Sequence, residues 1–208
     1  TMLARIADAL AADPVPLPAL RAIAYGGGKM PLPVIERMLA LLPHVDFTNA
    51  YGLTETRSTI ALLGPEDHRA AHAATDPRVR RRLASVGRAL PSVEIEIRDA
   101  EGKPVASGER GEVCVRGEQV AGEYLGRGSQ LGPDGWFRPG DLGQLDKNGR
   151  LPITGREDDL VKVDGKRVAL GEVEGCLEAF PKIKAAQARV ITDDLGGPMV
   201  VARVVRAS

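Results

Sequence analysis

Aromatic residues make up only 3% of this 208-residue chain, which also holds just two cysteines and three histidines. The core must therefore be aliphatic, and the interleaved rings of a single-strand nucleic-acid groove are missing. Charge of one sign is lacking too: 28 Lys plus Arg balance 28 Asp plus Glu, which excludes the basic surface of a bulk nucleic-acid binder. Cys114 and Cys176 lie far apart within apolar patterns, so neither a disulfide scaffold nor a cysteine zinc site is supported, and a reducing compartment is the simple choice. No apolar run approaches the roughly 20 residues of a membrane span. The opening TMLARIADALAA has neither the basic start nor the long apolar stretch of a secretory signal, so a cytoplasmic location is expected.

What is present is an ordinary globular composition, 43% apolar and 27% charged, with 24 Gly and 15 Pro that call for many turns. Leu3, Ile6, Ala7 and Leu10 fall at helical spacing over residues 2–12, and Pro14, Pro16 and Pro18 end that helix. A short apolar strand over residues 20–25 runs into Gly26, Gly27 and Gly28, and helical spacing resumes over 33–42. A second strand at 45–48 then delivers a loop around Tyr51 to the edge where open α/β sheets bind ligands. From about residue 85 the period becomes two, with Val93, Ile95 and Ile97 alternating with Glu94, Glu96 and Arg98. Val113 and Val115 continue that pattern, and DKNG at 146–149 places Asn-Gly between Leu145 and Leu151, a strong hairpin signal. A hairpin over 160–169 with an Asp164-Gly165 turn follows, then a helix with Val173, Leu177 and Phe180 on one face and Pro181 as its stop. Strands at Val190 and over 199–205, around Gly196-Gly197, complete a small unit. The predicted class is α/β plus an antiparallel β subdomain, followed by a small α+β C-terminal domain, with pieces 1–84, 85–157 and 158–208.

Several short segments carry chemistry, each with a bland alternative. NAYGLTE, residues 49–55, groups a ring that can stack a base (Tyr51), a glycine that admits close backbone approach (Gly52), a hydroxyl for a phosphate oxygen (Thr54) and a carboxylate for Mg²⁺ (Glu55). A capped helix start, with Thr54 or Asn49 as N-cap, competes with that reading. GGGKMP at 26–31 either meets a ligand with bare backbone or merely turns strand into helix; it has neither the dinucleotide fingerprint nor Walker spacing. Asp141 can accept hydrogen bonds from both hydroxyls of a ribose or cap a turn. Arg156 can fork onto ribose or phosphate oxygens or simply pair with Glu157 or Asp158 on the surface. Arg78, Arg80, Arg81 and Arg82 are read as a solvated face, and His44, His68 and His72 as surface residues, since no third metal ligand accompanies the last two. No serine or cysteine elbow for covalent catalysis is present.

Taken in order, GGGKMP, NAYGLTE, SGERGEVCVRG, GWFRPGDLGQLDKNGRLPITGRED and DLVKVDGKRVALGEVE resemble the acyl-adenylate-forming superfamily of acyl-CoA synthetases, peptide-synthetase adenylation domains and luciferases. The resemblance spans almost the whole chain. It implies an ATP-dependent ligase in which a small-molecule carboxylate attacks the α-phosphorus of Mg-ATP, and the resulting acyl-adenylate passes to coenzyme A or to the phosphopantetheine of a carrier protein. By the same resemblance, Gly26, Gly27 and Gly28 lie along the acyl and adenine pockets and Tyr51 packs on adenine, with Asn49 and Gly52 beside it. Thr54 contacts the α-phosphate, Glu55 binds Mg²⁺, Asp141 holds the ribose of ATP or AMP, and Arg156 assists at ribose or phosphate. Asp158 is the hinge of the small domain, and Gly165, Lys166 and Arg167 form the loop that enters for thioester formation.

The departures set further expectations. The family's upstream phosphate loop and its late Gly-Lys motif are not found in these 208 residues, Lys29 stands where Pro is common, and Pro139 stands where Thr is usual. The chain is therefore expected to be the C-terminal part of a ligase whose N-terminal half is missing, and to be inactive alone. YGLTE favours the acyl-CoA synthetase branch, where peptide-synthetase domains tend to have Pro in place of Leu53. LGEVE followed by DDLGG leans toward amino-acid-activating domains that load a carrier protein. A non-catalytic AMP-binding or interaction module is the third possibility.

Overall fold

The computed structural model describes residues 2–120, 123–124, 128–129, 131–163, 166–178, 180, 182–192 and 197–206, with only the backbone of 123, 124, 128, 166 and 167. The chain begins with α1 (Met2–Ala12), β1 (Ala22–Gly26), α2 (Leu32–Leu41) and β2 (Asp46–Gly52). β1 and β2 pair in parallel, with Ile23 opposite Phe47 and Gly26 opposite Ala50, so α2 is the crossover of a βαβ unit. Antiparallel β3 (Thr59–Leu63) and β4 (Arg88–Ala89) extend this sheet in the order β1-β2-β3-β4. Between them lie α3 (Pro65–Ala73) and the single turn α4 (Pro77–Arg80).

The apolar stripes of α1, α2 and α3 cover one region of the sheet. Leu3, Ala7, Tyr25, Ile35, Met38, Phe47, Ala71 and Leu83 form one buried cluster. Ile35 and Met38 are wholly buried and Phe47 nearly so; each such side chain contributes roughly 1.5–3 kcal/mol by leaving water. The strand expected at 45–48 is longer than its apolar residues suggest. Backbone pairing with β3 along Asn49, Ala50, Tyr51 and Gly52, and with β1 as far as Ala50, holds these residues extended, so the predicted loop begins only at Leu53.

The period-two segment forms an antiparallel sheet in the order β10-β9-β6-β5, from β5 (Val93–Arg98), β6 (Arg110–Gly117), β9 (Asp141–Gln144) and β10 (Ile153–Arg156). The short pair β7 (Glu123–Tyr124) and β8 (Gly128–Ser129) lies between β6 and β9 in sequence. Val93, Ile97, Val113, Val115, Phe137 and Leu151 make its core together with Ile60 of β3, so the two sheets share buried surface. The Asn-Gly turn is present: Asp146 accepts the amides of Asn148 and Arg150 on its carboxylate, and Gly149 takes φ 72°. On the far face of β5 and β6 the alternation leads to solvent at Glu94 and Arg116 but not at Arg98. Arg98 is buried there against Glu96 and Asp134, and the indole of Trp136 lies between the guanidinium groups of Arg98 and Arg116, at 4.7 and 4.6 Å.

The C-terminal residues form a β11–β12 hairpin (Leu160–Val163, Lys166–Ala169), α5 (Leu170–Glu178) and a β13–β14 hairpin (Ile183–Thr192, Pro198–Arg206). Phe180 does not share the face of Val173 and Leu177: α5 ends at Glu178 and Phe180 is 62% exposed. The Asp164-Gly165 turn, Pro181 and Gly196 lie outside the described residues. Thus mixed α/β structure with antiparallel sheets is observed, and no described helix is long and apolar enough to cross a membrane.

Candidate functional site

The parallel register ends β1 and β2 at the same edge, which brings the triple glycine beside the last residues of β2. Two glycines there are required by close strand approach. A Cβ on Gly26 would stand 2.2 Å from the Ala50 carbonyl oxygen, and one on Gly52 would stand 2.2 Å from that of Ser58. Gly27 adopts φ 74°, whereas a side chain at Gly28 would meet nothing within 4 Å.

Past Gly52 the chain makes a single 3₁₀ turn, Thr54–Thr56. Neither Asn49 nor Thr54 is its N-cap: Leu53 holds that position, and Asn49 donates its amide to the Ser85 carbonyl at 3.3 Å. The turn is closed by Thr56, a residue that no spacing in the sequence singles out. Its buried hydroxyl accepts from the Leu53 amide at 3.0 Å and lies within hydrogen-bond reach of the Leu53 and Ser58 carbonyls. Thr54 is thereby left exposed and Glu55 half-buried, beside an open cleft lined by Ala50, Gly52, Leu53, Thr54, Ser58 and Thr59.

The decisive juxtaposition joins three strands. Tyr51 at the end of β2 donates its hydroxyl to Asp141 Oδ2, and Arg156 at the end of β10 donates from Nη1 to Asp141 Oδ1 at 3.0 Å. Asp141 opens β9 and is only 6% exposed, so both carboxylate oxygens are engaged and the turn-cap alternative does not apply. Arg156 also approaches the Pro139 carbonyl at 3.3 Å and Asp158 at 3.5 Å, and its side chain is nearly half exposed. Burial, reinforced by the Asp141 charge and hydrogen bond and opposed by Arg156, holds the Tyr51 phenol far above its ordinary pKa, so it remains a proton donor.

Of the other predicted residues, Asp158 touches this cluster, through Arg156. Asp158 sits in the exposed 3₁₀ turn between β10 and β11. Lys166 and Arg167 begin β12, their side chains and Gly165 lying outside the described residues. Lys29 reaches α5, where a Cβ on Gly175 would sit 3.2 Å from its Nζ. His68, expected at the surface, is fully buried; its Nδ1 donates to the Gly64 carbonyl at 2.8 Å and its Nε2 accepts from the Tyr25 hydroxyl at 2.8 Å. The polar helix PEDHRAAHA hid this, because the partner that makes burial tolerable lies 43 residues away. Desolvation lowers the His68 pKa against the opposing pull of Gly64 and Asp67. Among the described residues no group of three His, Cys, Asp or Glu could hold a metal ion.

Residues 1–125 match the profile described as AMP-binding enzyme. The chain belongs to that family. It is 33% identical over 196 residues to the 4-coumarate–CoA ligase-like 6 protein of Oryza sativa subsp. japonica, covering 91% of this chain and 31% of the relative. Among solved structures it resembles the amide bond synthetase McbA from Marinactinospora thermotolerans, with TM-score 0.82 and 33% identity over 99% of this chain and 40% of that one. The o-succinylbenzoate CoA synthetase of Bacillus subtilis with its acyl-adenylate intermediate gives TM-score 0.77 and 31% identity, over 100% of this chain and 40% of that one. The chain thus spans between about a third and two-fifths of the length of these family members. The residues present suit an adenine nucleotide with magnesium: a buried two-oxygen acceptor, open backbone at Gly27 and Gly28, and in Glu55 the single carboxylate that Mg²⁺ commonly takes alongside phosphates and water.

Proposed function

We propose that the protein carrying this chain activates a carboxylic acid with ATP as an acyl-adenylate and transfers the acyl group to a thiol, with coenzyme A as acceptor. The observation that carries this reading is Asp141, buried and bonded on both carboxylate oxygens by Tyr51 and Arg156. Asp141 takes the ribose hydroxyls, the Tyr51 ring packs on adenine, and Gly26, Gly27 and Gly28 border the acyl and adenine pockets. Thr54 donates to the α-phosphate, Glu55 holds Mg²⁺, and Arg156 neutralises charge at the ribose-phosphate edge. Magnesium supplies charge stabilisation on the phosphates, so the protein's part is alignment and electrostatics for an in-line displacement rather than acid–base chemistry. Residues 1–157 belong to the large domain, and Asp158 is the point about which residues 158–208 turn. Gly165, Lys166 and Arg167 serve the thioester step.

Coverage of about two-fifths of the solved relatives supports a site completed by residues outside this chain. Accordingly, the isolated chain is expected to bind AMP without catalysing carboxylate-dependent ATP–pyrophosphate exchange. Calorimetry with AMP tests the site: Asp141→Ala should weaken binding at least tenfold, the scale of a lost hydrogen bond to a charged group. Unchanged affinity in that variant overturns the assignment, and exchange above blank overturns the partial site. Assay of the whole enzyme with coenzyme A against a phosphopantetheinyl carrier protein decides the acceptor.

A further inference from the structure

A carboxylate offers about four lone-pair directions, two on each oxygen. At Asp141 one direction on Oδ2 is taken by the Tyr51 hydroxyl and one on Oδ1 by Arg156, which leaves one on each oxygen. That remainder matches the two adjacent O–H donors of a ribose. Whether the match is realised depends on the plane of the carboxylate, since rotation about χ2 would aim the remaining directions into the protein.

The two groups that fix this plane are unequal. Arg156 is nearly half exposed and divides its guanidinium among Asp141, the Pro139 carbonyl and Asp158. Tyr51 is held in β2 by pairing with Ala61 of β3, next to the last β1 pair at Ala50, its ring lies against the second core cluster, and its hydroxyl donates to Asp141. We propose that the Tyr51 hydroxyl, separately from its ring, is a positioning group that sets the plane of Asp141 and thereby makes the site select ribonucleotides over 2′-deoxyribonucleotides. The ring supplies affinity for the base, which both nucleotides share. The hydroxyl supplies the distinction between the sugars.

This inference rests on Asp141 as the ribose acceptor, and the test separates the two claims. AMP and 2′-deoxyAMP are titrated by calorimetry into the 208-residue chain, its Tyr51→Phe variant and its Arg156→Lys variant. The wild-type chain should prefer AMP by about ten- to a hundredfold, the range for one hydrogen bond to a charged group. Tyr51→Phe should reduce that preference to within about threefold, because AMP loses alignment of both hydroxyls whereas 2′-deoxyAMP loses only that of its 3′-hydroxyl and keeps the ring. If Tyr51→Phe weakens both nucleotides by one factor and the preference survives, the hydroxyl has no part in sugar selection and the proposal is overturned while the ribose reading stands. If the wild-type chain binds both equally, or neither, the ribose reading itself fails. Arg156→Lys decides the matter even if Tyr51→Phe does not fold. It should weaken both nucleotides together with the preference intact, and loss of the preference in that variant overturns the primacy of Tyr51.

Discussion

The part of the chain before residue 157 and the part after it are held together by different means. The first has two clusters of buried aliphatic and aromatic side chains, among them Ile35, Phe47, Ile60, Val113 and Leu151. Among the described residues of the second, only the small Ala169 and Ala188 are buried, while Phe180, Met199, Val204 and Val205 are exposed. The β13–β14 hairpin is long and regular, yet each of its hydrogen bonds exchanges one with water and is worth about 1 kcal/mol net. Strand pairing, with the Glu174 and Glu178 carboxylates of α5 accepting the Ala188 and Ala186 amides, therefore gives the second part its form, whereas side-chain burial gives the first its stability. What joins them includes the Arg110–Glu172 ion pair at 2.6 Å and the reach of Lys29 to α5.

Cysteine chemistry offers the sharpest contrast between these parts. Cys176 is exposed on α5, whereas Cys114 is buried in β6 and burial foremost, with Glu112 adding to it, pushes its thiol up to about 11. Timed labelling with a thiol reagent at pH 8 should modify Cys176 at once and Cys114 slower by about a thousandfold or more, because reaction there awaits opening of the sheet. Equal rates would erase the distinction. Core truncation comes next: Phe47→Ala should cost about 3–5 kcal/mol in chemical denaturation. Val205→Ala, at a site 52% exposed, should stay within about 0.5 kcal/mol.

A third contrast is pH-dependent. Burial depresses the folded pKa of His68, so between its unfolded value of about 6.5 and the lower folded value the unfolded chain binds a proton that the folded chain does not. Stability is therefore full above that window and falls as pH drops through it, by at most about 1.4 kcal/mol per pH unit. His68→Gln should flatten this slope in urea titrations between pH 5 and 7, and an unchanged slope would place its origin elsewhere. Arg110→Ala should have the smallest effect. Both partners of that pair are largely exposed, so global stability should change by less than about 1 kcal/mol, and protease cleavage near residue 158 should quicken about twofold, less so in high salt.

Legibility in the sequence followed the range of the interactions. The βαβ unit, the period-two strands and the Asn-Gly turn rest on spacings of a few residues and were readable from them. Within the candidate site, NAYGLTE, Asp141 and Arg156 each had a bland alternative when taken alone. The hydrogen bond from Tyr51 to Asp141 crosses 90 residues, and only the order of several motifs hinted at it. Where local composition misled, a distant partner had reversed its meaning. His68 looked solvated until Tyr25 supplied its hydrogen bond, and the polar end of β2 looked like a loop until β1 and β3 paired with it. Thr56 carried no spacing signal, since its hydroxyl acts on backbone within three residues and any threonine near a turn looks the same.

Trp136 is the single tryptophan of the chain and is 3% exposed, enclosed by two guanidinium groups over the second sheet. Its fluorescence is consequently a local gauge: emission shifts when the β5–β6 face melts and stays silent when the C-terminal hairpin unpairs. A melting curve followed at the indole and one followed by backbone circular dichroism thus observe different parts of the same molecule, and the gap between them measures how independently the two parts unfold.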